Sequence, residues 1–155
     1  MFQRLTHLEL VWNPGEEWQW TTLLELRYLT HLSVEITFSL PDCVKRLKEI
    51  ISSCKPSLMV VVVWLPSNIS DSSREFEDAK AISDGSVDMR LVLAFMGSVI
   101  EADNLKSMYG VVRSFPDLLR DWSGRSIGKD FWTQAEETIA ERYQRLKQTL
   151  ARKDF

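Results

Sequence analysis

The only two histidines of the chain, His7 and His31, lie 24 residues apart, each inside the same phrase, Leu-Thr-His-Leu. Carboxylates follow both, Glu9 after the first and Glu35 after the second. A neutral imidazole beside a carboxylate can ligate a metal ion or pass a proton. Either role needs the two rings to be neighbours, and alternation along a strand decides that. If Leu8 and Leu10 face a core, His7, Glu9 and Val11 face the other way. In the second copy the outward set is His31, Ser33 and Glu35. A looser third copy, Leu58 to Trp64, presents Val60, Val62 and Trp64, and a fourth apolar run, Met89 to Ala94, presents Arg90, Val92 and Ala94. Adjacent parallel strands are about 4.8 Å apart, so the two imidazoles are expected side by side.

A blander origin weighs more. Duplicating the phrase duplicates the histidine, and two imidazoles fall short of the three protein ligands usual in a catalytic zinc site unless Glu9 or Glu35 completes the set. No nucleophile elbow, phosphate loop or dinucleotide fingerprint occurs. No metal or cofactor is assigned, and catalysis is left open. The expected binding face is His7, Glu9, His31, Ser33, Glu35, Trp64 and Arg90.

The elements that position these residues are read from period. Leu5, Leu8 and Leu10, then Leu29, Leu32 and Val34, then Leu58, Val61 and Val63 fit the spacing L-x-x-L-x-L of a leucine-rich repeat. No copy can bury its apolar face alone, so the strands are expected to stack into a parallel sheet of about four. Pro41 and Asp42 open an amphipathic helix carrying Val44, Leu47, Ile50 and Ile51, which Pro56 stops. Trp12, Trp18 and Trp20 are expected to cover the open end of the sheet. A polar loop at 66–73 leads to a helix through Phe76, Ala79 and Ile82, and Asp84-Gly85-Ser86 makes a turn. Residues 98–109 give no clear pattern. Pro116 and Asp117 start a short amphipathic turn with Leu118, Leu119 and Trp122. Phe131, Trp132, Ala135, Ile139, Tyr143, Leu146 and Leu150 then recur at helical steps, and this last helix is expected to cap the sheet by folding over its last strand. The fold class is α/β, a single domain with irregular repeats over 1–97 and a capping segment over 98–155.

The phrases LTHLEL and RYLTHLSVEITFSLPDC, the cadence Ser53 to Leu58, and the ending Phe115 to Trp122 with Asp130 to Glu136 resemble the leucine-rich-repeat region of fungal F-box-like proteins. The resemblance implies a solenoid scaffold in which repeats choose a protein substrate. No F-box segment precedes Leu5, so only the recognition half is expected to carry over.

Composition narrows the partners. Hydrophobic residues make up 45% and charged residues 26%, as in an ordinary globular chain. A net charge of −3 argues against a broad nucleic-acid or anionic-membrane face. Two cysteines, Cys43 and Cys54, are too few for a disulfide framework and lack zinc spacing. No leader follows Met1 and no apolar run approaches a membrane span, so a cytoplasmic or nuclear location is expected. Two function classes follow. The first is a non-enzymatic protein-interaction module using the sheet face. The second is a small enzyme or binding protein for an apolar metabolite, its pocket beside the histidines and under the C-terminal helices. A ligand-sized cavity beside His7 or His31 would separate them.

Overall fold

The computed structural model describes residues 4–12, 20–36, 43–54, 57–65, 74–97 and 108–153. Strand β1 (His7–Trp12) is followed by a 3-10 turn (Trp20–Glu25), β2 (His31–Ile36), helix α1 (Cys43–Ser53), β3 (Val60–Leu65), α2 (Arg74–Ser83), β4 (Leu91–Met96), β5 (Val111–Arg113), α3 (Phe115–Trp122) and α4 (Phe131–Lys153). All five strands run parallel in the order β1-β2-β3-β4-β5. The register is the one the repeats imply: His7 opposite His31, Leu8 opposite Leu32, Val34 opposite Val63. The reason lies in the period-2 pattern. Slipping by one residue would turn every leucine to the wrong face.

One face of the sheet carries Leu32, Val34, Val61, Val63, Leu91 and Leu93. It packs on Leu23, Leu47, Ile50, Ala79 and Ile82 from the 3-10 turn, α1 and α2. The other face carries Val60, Val62, Trp64, Val92, Ala94 and Val111, and packs on Leu118, Phe131 and Ala135. Both faces of the central strands are therefore buried, which is why β3 reads as an unbroken valine run rather than an alternating one.

Three features differ from the sequence reading. A fifth strand, Val111–Arg113, joins the sheet. It was illegible because only three residues pair. The last helix contacts β3, β4 and β5 across their faces, so it is a lid on the sheet more than an end cap. The fourth strand starts at Leu91, which leaves Arg90 in the turn before it. Gly110 explains how closely α4 approaches β5. A Cβ there would stand 2.6 Å from Val92 and 2.7 Å from Thr138. The Asp84–Ser86 turn forms as expected around Gly85, whose φ of +81° is left-handed. The start of α1 at Pro41 and Asp42, the side chains of the Trp12, Trp18 and Trp20 cluster, the 66–73 loop and residues 98–107 lie outside the described residues.

Candidate functional site

The two faces of the sheet differ in how far their cover reaches. On the α4 side the strands form rungs: His7 with His31 and Val60, Glu9 with Ser33 and Val62, Val11 with Glu35 and Trp64. Cover is complete at Val60, Val62 and Trp64 and thins toward β1, where Glu9 is partly buried and Val11 is 54% exposed.

The first rung holds the imidazoles. Their rings stack at 4.2 Å between centroids, tilted by 12°. Trp132 of α4 meets both edge-on, at 5.2 and 5.4 Å. His31 is buried, and its Nε2 lies 3.0 Å from Glu136 on α4. A carboxylate only accepts, so Nε2 carries the proton. Thr30 Oγ1 is 2.8 Å from His31 Nδ1 and 3.2 Å from the Thr6 carbonyl. One hydroxyl proton cannot serve both, so in neutral His31 it goes to Nδ1. His7 mirrors the arrangement, with Thr6 Oγ1 2.9 Å from its Nδ1. Burial and the neighbouring His31 hold the His7 pKa below the usual histidine value.

The second rung holds a chain of polar contacts. The buried Trp64 indole N–H donates to Ser33 Oγ at 2.8 Å. The Glu9 carboxylate lies near the Ser33 hydroxyl and the Trp122 indole of α3, and both draw its pKa down. Burial, opposed by these two groups and reinforced by Glu35, raises the Glu9 pKa. A raised carboxyl pKa gives a definite sign. The group stabilises the fold below its unfolded pKa, and that contribution is lost as pH rises through the folded value. Replacement of Glu9 by glutamine is expected to raise the melting temperature by a few degrees at pH 7 and to leave it unchanged near pH 4. The lowered His7 pKa works in the opposite window. Its contribution is full above about pH 6.5 and is lost as pH falls through the folded value. His7→Gln should flatten the fall in melting temperature as pH drops below about 6.5. Thermal unfolding followed by circular dichroism at closely spaced pH values checks both; a Glu9→Gln protein melting lower at pH 7 would contradict the first.

Of the seven residues expected on one open face, the structure gathers six. His7, Glu9 and Glu35 stay accessible or partly so, whereas His31, Ser33 and Trp64 are buried. They are not displayed, because Phe131 and Trp132 of α4 pack over that side of the sheet; Phe131 meets the Trp64 ring at 5.5 Å. Arg90 is not on the face: its guanidinium is folded onto Asp88 at 2.9 Å and onto the Leu58 carbonyl at 3.2 Å. Among the described residues no three histidine, cysteine or acidic side chains come together in a way that could hold a metal ion. A groove of about 580 Å³ exists, but it lies between α2, Gly110 and α4, lined by Lys80, Asp84, Tyr109 and Thr138 among others, and the imidazoles take no part in it.

Sequence reasoning missed where the accessible apolar surface is. Within α3 only Leu118 is buried. Phe115, Leu119 and Trp122 turn outward and are 55%, 47% and 49% exposed. Their steps of four and three residues put them on one stripe. Trp122 brings the end of that stripe near Glu9 on β1. The signal was present in the spacing, but periodicity reports an apolar face without saying what covers it.

No family model, curated protein or solved structure matches the chain. Among the described residues no helix is long and apolar enough to cross a membrane.

Proposed function

We propose that the protein is a non-enzymatic recognition module of the leucine-rich-repeat kind. Its contact surface is the outer stripe of α3 with the open strip of β1: Phe115, Leu119, Trp122 and Val11, edged by Glu9 and Glu35. One observation carries this reading. Phe115, Leu119 and Trp122, each about half exposed, line one stripe of α3, and Trp122 lies near Glu9 of β1, where Val11 is exposed to the same degree. Isolated exposed apolar residues need no explanation, but a stripe bordered by polar groups is how interaction sites are built. Among the described residues β1 is an edge strand, with backbone groups that no other described strand pairs. The metabolite reading draws less support, since His31 is buried against Trp132 and Glu136, and two grooves of ligand size among the described residues lie away from both imidazoles.

The test is a charged substitution that leaves the core intact. Leu119→Lys and Val11→Lys should melt within a few degrees of the parent, since both positions face water. Proteins recovered on the immobilised parent should be lost from both variants and retained by Leu24→Lys, an exposed control on the opposite layer. Equal recovery on all four proteins would sink the reading.

A further inference from the structure

Helix α4 is divided by charge. Residues 131–141 hold Glu136, Glu137 and Glu141 and no cation, and residues 142–153 hold Arg142, Arg145, Lys147, Arg152 and Lys153 and no anion. The helix dipole favours that order, but it does not account for what else the second half carries. Arg142 is the last buried residue of the helix, and every position from 143 to 152 is exposed. Beyond Arg142, with Arg145 still lining the groove beside α2, the helix continues for about 16 Å with no buried position among the described residues. Along it Tyr143, Leu146 and Leu150 are 45%, 47% and 53% exposed. Their steps of three and four make one apolar stripe, the i, i+3, i+7 anchor pattern of a helix that docks in a groove.

We infer that this basic, apolar-striped end of α4 docks on the α3–β1 surface of a second copy of the chain. The inference rests on the recognition surface described above and names its occupant. Complementarity is twofold. Tyr143, Leu146 and Leu150 answer Phe115, Leu119, Trp122 and Val11. Arg145, Lys147 and Arg152 answer Glu9 and Glu35. Pairing two helix ends with each other is disfavoured, because each carries only positive charge. The contact joins two different patches. It closes as a dimer when two copies exchange helix ends reciprocally, and otherwise propagates head to tail.

Sedimentation velocity on the full chain tests this across a concentration series. The parent should self-associate, with a dissociation constant that rises about tenfold or more when salt goes from roughly 0.05 to 0.5 M. A helix-end variant, Arg145→Glu with Leu146→Glu, and a surface variant, Leu119→Lys with Glu9→Lys, should each be monomeric, with parental circular dichroism spectra. Mixed, they should form one-to-one heterodimers, since the surface variant keeps an intact helix end and the helix-end variant an intact surface. A parent that stays monomeric at all concentrations overturns the inference. So does association that survives in either variant, or variants that fail to recombine, as pairing of like surfaces would require. If the helix end instead partitions onto vesicles of anionic phospholipid while the protein remains monomeric, the second copy is ruled out as occupant. A monomeric parent whose Leu119-dependent capture of other proteins persists would overturn this inference alone and leave the recognition surface standing.

Discussion

Replacement of Arg142 by methionine is expected to destabilise the protein by about 3–5 kcal/mol, a large fraction of a typical domain's margin of roughly 5–15 kcal/mol. Arg142 is 5% exposed and faces no carboxylate at hydrogen-bond distance among the described residues. Its guanidinium donates instead to main-chain carbonyls. One nitrogen reaches Met89 at 3.2 Å and Leu91 at 2.5 Å, and the other reaches Ile82 at 3.3 Å and Ser83 at 2.6 Å. Ile82 and Ser83 close α2, where carbonyls lack helical partners and the dipole is negative. A single side chain thus fastens α4 to the end of α2 and to the entry of β4. Methionine keeps much of the apolar stem but removes every donor, and buried acceptors are left without partners. Lysine should recover less than half, because one ammonium cannot reproduce the fork. Urea unfolding of the three proteins measures this, with a fall in melting temperature on the order of 10 °C for methionine. A loss under about 1 kcal/mol would mean that water serves those carbonyls as well as the guanidinium does.

A comparable loss, about 3–5 kcal/mol, is expected for Asp121→Asn. The Asp121 side chain is 1% exposed and the Arg113 side chain 12%. Their contact is bidentate, at 2.7 and 2.9 Å. The same carboxylate accepts from Ser126 Oγ at 2.7 Å and from the Phe131 N–H at 3.1 Å. Arg113 also donates to the Lys129 carbonyl. One carboxylate therefore joins β5, α3, the following turn and the first residue of α4. Asparagine keeps the shape but leaves the arginine charge uncompensated where water is nearly excluded, and turns one acceptor into a donor facing other donors. Replacing both partners, Arg113→Met with Asp121→Leu, should destabilise less than Asp121→Asn alone, because no buried charge remains. A double-mutant cycle reads the coupling. If the double substitution were the worse of the two, the pair would be a net contributor rather than two charges that need each other.

The strand register and the stacked imidazoles were legible because they follow from local pattern. Leu8, Leu10, Leu32 and Val34 can face a core only if His7 and His31 face away together. The turn at Gly85 and the start of α3, with Pro116 and Asp117 in its first turn, were legible for the same kind of reason. Asp121 was not. An acid near a turn looks like any helix-start residue until β5 brings Arg113 against it. Arg142 was equally hidden, because its partners are carbonyls that every residue possesses. The exposed stripe of α3 and the buried state of His31, Ser33 and Trp64 share one cause. Period shows that a face is apolar or polar, and only the path of α4 decides which faces remain open.

By itself, then, the chain determined a parallel sheet and the register of its first three strands, since side-chain alternation and the leucine spacing act over a few residues and admit one arrangement. The tertiary structure alone decided which rungs meet water. That choice depends on contacts between residues 50 to more than 100 positions apart, such as Arg142 with Met89 and Glu136 with His31, whose energies come from burial and geometry that no local pattern encodes.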